Sequence, residues 1–443
     1  MSRIALIGKN SVEYIRNLLN IWNSGNCAVL IDYRIPLETA VKMMREAKAT
    51  TCYIENDIYN IHDEFEIEFV FYDRNSDQAE FLPDDIYNSF KGIYSGDEAV
   101  IIYSSGTTGN SKGIILSHYA INTNADAIID YMKPKHGDCI YIVKTLSHSS
   151  TLTGELLVAL KSRMNLVVTP VIPHPRQIIK NTTEFNVTIL CLNPTLLSML
   201  ADEYMTAQTD LSTLQKIYVS GSVLTDKVFE KAHKAFENKT VYNVYGLSEA
   251  GPRVSAQTEY CCKSNSVGRP LPNIEVVIVD ESGKKLLRGE KGIVYVKTPS
   301  IFSGYVTGEE KHRSFYYGWL NTGDIGFEDD FGEIHIVGRI DDVIEYNSHK
   351  VYPSDVEKMI LENPLITDCV VSKCIVNNVE MIGCLYVSDN NCAVDIVRRL
   401  KGRLAQYEIP KKFLKTESIP RNIRGKINRK LIAGILSDID SEG

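Results

Sequence analysis

Between residues 98 and 246 short β-branched runs alternate with longer helical stretches, an order that commits the chain to a parallel sheet wrapped by helices. The runs are AVIIYS (99–104), IYIV (140–143), NLVVT (165–169), VTILCL (187–192), KIYVS (216–220) and TVYNVY (240–245). Stretches between them, such as PTLLSMLADEY and TDKVFEKAHKAFEN, repeat apolar residues at the spacing of one helix face. The first ninety-odd residues show a shorter version, with AVLID (28–32) and TCYIE (51–55). After Gly246 helical patterns nearly vanish. IEVVIVD, GIVYVK and EIHIVG, separated by glycine-rich turns, predict a small antiparallel sheet or barrel over 266–338. Beyond it PSDVEKMILENP and CAVDIVRRLKGRLAQ read as helices and DCVVSKC and MIGCLYV as strands. The expected fold class is α/β: a large N-terminal domain over 1–338, including the strand-rich subdomain, and a small α+β domain over 339–443.

Composition narrows the function. With 48 Lys+Arg against 56 Asp+Glu and a net charge of -8, the chain is no general nucleic-acid binder, because phosphate neutralisation needs a basic surface. Ten cysteines include no C-x-x-C pair and no spacing with histidine that fits zinc, so free thiols are expected. No run approaches the length of a membrane span and the first residues lack a signal-peptide core, which predicts a cytoplasmic protein. One local exception stands out: from Arg398 to Lys430 there are 12 Lys/Arg against Glu408 and Glu417. Such a run either meets an anion or balances acidic neighbours.

The most informative stretch is AVIIYSSGTTGNSKGIILSH, residues 99–118. A β run leads into Ser104-Ser105-Gly106-Thr107-Thr108-Gly109, then Lys112-Gly113, with a helical pattern from near His118. Glycines let a backbone approach an anion, successive N–H groups form a nest for phosphate oxygens, and hydroxyls and an ammonium add donors. The spacing is not that of a Walker A loop, whose lysine directly follows the second glycine. A switch-type NTPase is therefore disfavoured.

The loop resembles the signature of the adenylate-forming superfamily, which comprises acyl-CoA synthetases, carrier-protein-dependent adenylation enzymes and firefly-type luciferases; Ser111 stands where that family usually has proline. Further landmarks follow in order: NVYGLSEAG (243–251) with Ser248 for threonine, WLNTGDIG (319–326), the hinge-like GRIDDVIEYNSHKVYPSDVE (338–357) and IPRNIRGKINRKL (419–431). The resemblance implies an AMP-forming acid–thiol ligase that uses ATP and Mg2+ to make an acyl adenylate, then transfers the acyl group to coenzyme A or to the phosphopantetheine of an acyl carrier protein. The loop from Ser104 to Gly109 would hold the β and γ phosphates, chiefly through Thr107 and Thr108, with Lys112 bracing the loop. Glu249 would bind Mg2+, in the element that also contains Gly246 and Ser248. Tyr245 would offer its ring to adenine, Asp324 would accept the ribose hydroxyls, and Arg339 would reach the ribose or phosphates. Lys426 would stabilise the transition state at the α-phosphate. Asp341 takes the hinge position about which the mobile C-terminal lid turns between the two half-reactions.

Other matches are looser. His148 is either the gate between acid site and thiol tunnel or an ordinary loop histidine. Ser348 stands where related hinge segments carry a glycine lining the pantetheine tunnel. No aspartate is placed to pair with an α-amino group, so a simple carboxylic acid, fatty or aromatic, is the expected substrate. Its pocket should draw on Cys191–Leu197, Ser220–Leu224 and Gly246–Arg253. Arg253 would pair with a second polar group on the acid or sit in a structural ion pair. The chain opens directly on RIALIG, where relatives usually carry some tens of residues first. That predicts a missing first layer and apolar surface covered by a partner or by a second subunit in a homodimer. Against the ligase reading stands a catalytically degenerate binding or scaffold protein, suggested by Ser111, Ser348 and the short start.

Overall fold

A computed structural model describes residues 1–61, 65–103, 111–206, 209–258, 266–308, 315–316, 318–346, 349–377, 379–421 and 427–438. The chain packs as two units, one formed by Met1–Val277 with Tyr295–Thr322 and the other by Ile278–Val294 with Gly323–Gly443. The divisions fall inside strands Glu275–Val279, Gly292–Lys297 and Trp319–Glu328.

The first unit holds two large sheets. One is seven-stranded, in the order Gly304–Tyr305, Gly113–Ser117, Glu98–Tyr103, Cys27–Asp32, Arg3–Gly8, Thr51–Glu55, Glu68–Tyr72. The last five of these are mutually parallel. The second is eight-stranded, and its parallel centre is built from Thr240–Gly246, Lys216–Val219, Ile189–Leu192, Cys139–Ile142 and Asn165–Val168. The central strands read as continuous apolar runs because both of their faces are buried. Helix Val12–Asn23 shows how one cover forms. Ser11 caps it by accepting from the Tyr14 amide, and Tyr14, Ile15, Leu18, Leu19 and Trp22 lie on its buried face. The Trp22 indole donates to the Ala99 carbonyl at 2.8 Å, pinning helix to sheet. Each fully buried aliphatic side chain contributes roughly 1.5–3 kcal/mol.

The second unit contains a three-stranded sheet of Asp368–Val376, Val379–Val387 and Lys412–Thr416, a short hairpin of Ile344–Tyr346 and His349–Val351, and helices Pro353–Leu361, Ala393–Leu400 and Arg429–Asp438. Its main core joins Ile344, Val356, Ile360, Val371, Ile382 and Ile396, and a second cluster packs Ile432 and Leu436 against Val370 and Leu385.

Three local details differ from or add to the sequence reading. Residues Gly113–Ser117, which follow the phosphate-type loop, form a strand that is absent from the predicted runs. They pair antiparallel with Glu98–Tyr103, Tyr103 opposite Gly113, so the loop connects two arms of a hairpin. The helix starts at His118, as the sequence pattern predicts, and Ser117 caps it by accepting from the Ala120 amide. Secondly, the helix read over CAVDIVRRLKGRLAQ stops at Leu400. Gly402 follows at φ +80°, a left-handed conformation that a helix interior does not accept. Thirdly, Arg3–Gly8 is paired on both sides, and Ala5, Leu6 and Ile7 are fully buried. Exposed apolar side chains on this sheet include Val70 and Phe71 of the edge strand. Among the described residues no helix is long and apolar enough to cross a membrane.

The eight described cysteines are free and buried. Burial pushes the thiols of Cys27, Cys52, Cys139 and Cys191 up to about 12 each. Because the thiolate is the reactive form, these four should resist iodoacetamide at pH 8 in the native protein and all react in denaturant. Peptide mapping checks this, and modification of any of the four before unfolding would contradict it.

Candidate active site

In the first unit the site is built where strand Thr240–Gly246 ends. The chain leaves it through a short 3-10 turn at Ser248–Ala250 and returns antiparallel as strand Arg253–Ala256. The crossing is too tight for side chains: a Cβ on Gly246 would lie 1.9 Å from the Pro252 carbonyl oxygen. Gly251 has φ +96° and would meet Ser300 at 2.5 Å. The turn holds Glu249 half-buried, with Tyr245 half-buried on the strand before it.

Glu249 is positioned from a distant part of the chain. The Tyr305 hydroxyl donates to its Oε1 at 3.0 Å, and its backbone carbonyl accepts from the Phe302 amide at 2.9 Å. Tyr305 belongs to the two-residue strand that pairs with Ile114 and Ile115, just beyond the phosphate-type loop. Its ring lies under the Lys112 ammonium, 5.3 Å from Nζ to centroid. Lys112, Tyr305 and Glu249 therefore form one connected group, joined on the lysine side by a cation–π contact.

Ser248 meets the segment predicted to carry the gate, since its Oγ lies 2.7 Å from that of Ser149. His148 precedes Ser149, half-buried, and its carbonyl accepts from the Thr151 and Leu152 amides. From Ser149 a helix passes through a π-helical turn at Leu152–Leu157 and ends at Ser162. Such turns often mark functional positions. Here it buries Glu155, whose carboxylate pairs with Lys144 at 2.8 Å. Burial pushes that carboxyl up, against the opposing fields of Lys144 and Arg253.

In the second unit Asp324 and Arg339 face each other across paired strands. Arg339 Nη1 donates to Asp324 Oδ1 at 2.9 Å, with the carboxylate largely buried and the guanidinium about half exposed. Gly323, at φ +71°, makes room for that guanidinium, since a Cβ there would sit 2.8 Å from Arg339 Nη2. Asp341 is exposed in the 3-10 turn Ile340–Asp342. Its neighbour Asp342 accepts from Arg429 Nε at 3.2 Å. The same guanidinium reaches Glu357 Oε1 at 2.8 Å and the Val371 carbonyl at 2.6 Å. Burial opposes its charge, but Glu357 and Asp342 hold its pKa up.

The basic run is partly consumed in this way. Arg398 pairs with Asp395, Arg403 with Glu362, Arg421 with Asp368 and Arg429 with Glu357. Ser104, Ser105, Gly106, Thr107, Thr108, Gly109, Ser348 and Lys426 lie outside the described residues. Sequence reading missed Tyr305, Ser149, Lys144 and Glu155. Tyr305 lies eight residues beyond the predicted strand GIVYVK in a strand of two residues, too short to show periodicity, and no local signal links Lys144 to Glu155.

Residues 1–306 match the family model of the AMP-binding enzymes. The chain is 27% identical to 4-coumarate–CoA ligase 1 of Petroselinum crispum over 467 positions, covering 96% of this chain and 83% of that one. It is 29% identical to 4-coumarate–CoA ligase 3 of Oryza sativa subsp. japonica, covering 77% and 66%. Its fold superposes on ATP-bound MatB from Rhodopseudomonas palustris with a TM-score of 0.85 at 22% identity, covering 99% of this chain and 89% of that one. O-succinylbenzoate coenzyme A synthetase from Bacillus subtilis, in complex with ATP and magnesium ion, gives 0.82 at 21% identity, covering 97% and 88%. The chain belongs to the AMP-binding enzyme family, within the adenylate-forming superfamily that its motifs resemble. It is an enzyme of the AMP-forming acid–thiol ligase class.

Proposed function

We propose that the protein activates a small carboxylic acid with ATP and transfers the acyl group to the thiol of coenzyme A, releasing AMP and pyrophosphate. The group Lys112–Tyr305–Glu249, set beside a glycine-, serine- and threonine-rich loop, carries this reading. In the first half-reaction a carboxylate oxygen attacks the α-phosphorus as the α–β bridging bond breaks. In the second, the thiol attacks the acyl carbon, loses its proton, and AMP departs.

Positioning and electrostatics supply most of the rate of such a reaction. Glu249 suits Mg2+, a hard cation that takes oxygen ligands, because its half-buried carboxylate is oriented by Tyr305. Bound there, Mg2+ would neutralise charge on the departing pyrophosphate. Asp324 would accept from the ribose, with Arg339 orienting its carboxylate. Tyr245 would flank adenine, and Ser149, through Ser248, would fix the turn that presents Glu249. Lys426 would meet the α-phosphate, and the cationic remainder of the basic run would favour the anionic substrate.

The test is pyrophosphate release from Mg2+ and ATP over a panel of carboxylic acids, then mass spectrometry of thioester products with coenzyme A and holo-carrier protein offered in parallel. AMP, pyrophosphate and acyl-CoA in equal amounts are expected. Thioester on the carrier protein alone would reassign the acceptor, and no AMP with any acid would favour a degenerate binding protein. Ser348→Gly should leave adenylation unchanged and speed thioester formation about three- to tenfold, as expected if a serine side chain narrows the thiol tunnel. Single-turnover kinetics from supplied acyl adenylate read this directly, and an unchanged second step would remove Ser348 from the tunnel.

A further inference from the structure

Four residues beyond Glu249 lies an arginine with 4% of its surface exposed. Arg253 is fixed through its backbone: its amide donates to Asn124 Oδ1 at 2.9 Å and its carbonyl accepts from Asn124 Nδ2 at 2.8 Å. Nη1 donates to the Tyr131 hydroxyl, and the guanidinium carbon is 5.9 Å from that ring's centroid. Nη2 lies against the π-helical turn at Gly154, where a Cβ would sit 3.2 Å away.

Among the described residues no carboxylate pairs with Arg253 directly. Glu155 feels its field but forms its own ion pair with Lys144. Two cations thus share one buried anion. A cation taken out of water without a full partner is strongly disfavoured, and folds keep such groups where something else supplies the counter-charge. The adjoining segment adds a second sign. The hydroxyls of Thr145, Ser147 and Thr153 are buried with no protein partner among the described residues, although buried polar groups are almost always hydrogen-bonded. Close by, Tyr131 packs edge-on against Tyr218 with centroids 5.8 Å apart, and Tyr218 stacks on Tyr242 at 5.0 Å.

We propose that Arg253 and the π-helical turn form a subsite that selects carboxylic acids bearing a second negatively charged group. The guanidinium supplies the counter-charge, hydroxyls of the 145–153 segment supply donors, and the tyrosine cluster packs against the carbon skeleton. This rests on the ligase reading above. It deepens that reading by naming the substrate class. Of the two roles open to Arg253 from sequence, the structural ion pair lacks a direct carboxylate partner among the described residues.

The experiment compares adipate with hexanoate, and 4-carboxycinnamate with cinnamate, by pyrophosphate release and by calorimetric binding without ATP. In at least one pair the diacid should have a kcat/KM about tenfold or more above the monoacid. Arg253→Met should lower the diacid-to-monoacid ratio about thirtyfold or more, with Arg253→Lys falling between because an ammonium cannot reproduce the planar fork. Monoacid turnover with no diacid preference in either pair overturns the subsite and leaves the ligase reading standing. So does an equal loss on both members of each pair in Arg253→Met. Arg253-dependent diacid binding with no pyrophosphate from any acid supports the subsite and ends the ligase reading. Neither binding nor turnover overturns both.

Discussion

Lys426→Ala should slow acyl-adenylate formation by about 10³-fold, the scale on which an ammonium aimed at developing phosphate charge acts. Thioester formation from supplied acyl adenylate should stay within about threefold of the parent, because that step sheds AMP from an ester already made. The described flanks argue that the change would be local. Arg421 and Ile427 pair as an antiparallel bridge, Arg421 is tied to Asp368 at 2.7 Å, and Arg429 is anchored to Glu357 and the Val371 carbonyl. Removing a side chain between two such anchors leaves both in place. Pyrophosphate exchange measures the first half-reaction and single-turnover thioesterification the second; equal losses in the two would show that Lys426 serves both.

Glu249→Gln should cost adenylation about 10²-fold or more and raise the Mg2+ concentration for half-maximal rate about tenfold, as loss of one anionic oxygen ligand to a hard cation predicts. The fold should tolerate it. Glutamine keeps a carbonyl oxygen that can accept from the Tyr305 hydroxyl, and the backbone contact with Phe302 does not involve the side chain. A Mg2+ titration of pyrophosphate exchange separates the outcomes. A slower enzyme with unchanged Mg2+ dependence would mean that Glu249 positions the turn without meeting the cation.

What could be read beforehand follows from the range over which each signal acts. The parallel strands were legible because β-branched runs buried on both faces need no partner to be recognised, and the helices because a face repeats within one turn or two. GIILS at 113–117 was not, since five apolar residues with no period fit a strand or the start of a helix equally well. The end of the helix at Leu400 could have been seen in Lys401-Gly402, but the apolar spacing across it was followed instead. Glu249, Asp324 and Arg339 were named as candidates through motif resemblance, while Tyr305 to Glu249 and Arg253 to Tyr131 are contacts between residues 56 and 122 positions apart. No local rule relates such positions. The π-helical turn is also silent in sequence, because its pattern LTGELL is as apolar as an ordinary buried helix.

Tyr305 has a consequence for anyone who would redesign this enzyme. One side chain closes the edge of a sheet, carries the Lys112 charge on its face and aims the Glu249 carboxylate with its hydroxyl. A change to phenylalanine removes the aiming but keeps a ring under the charge, whereas a change to leucine or alanine removes both together. Any non-aromatic replacement therefore alters the Lys112 contact and the Glu249 geometry at once. Ser149, which touches the site through one hydroxyl, offers a handle with a single task.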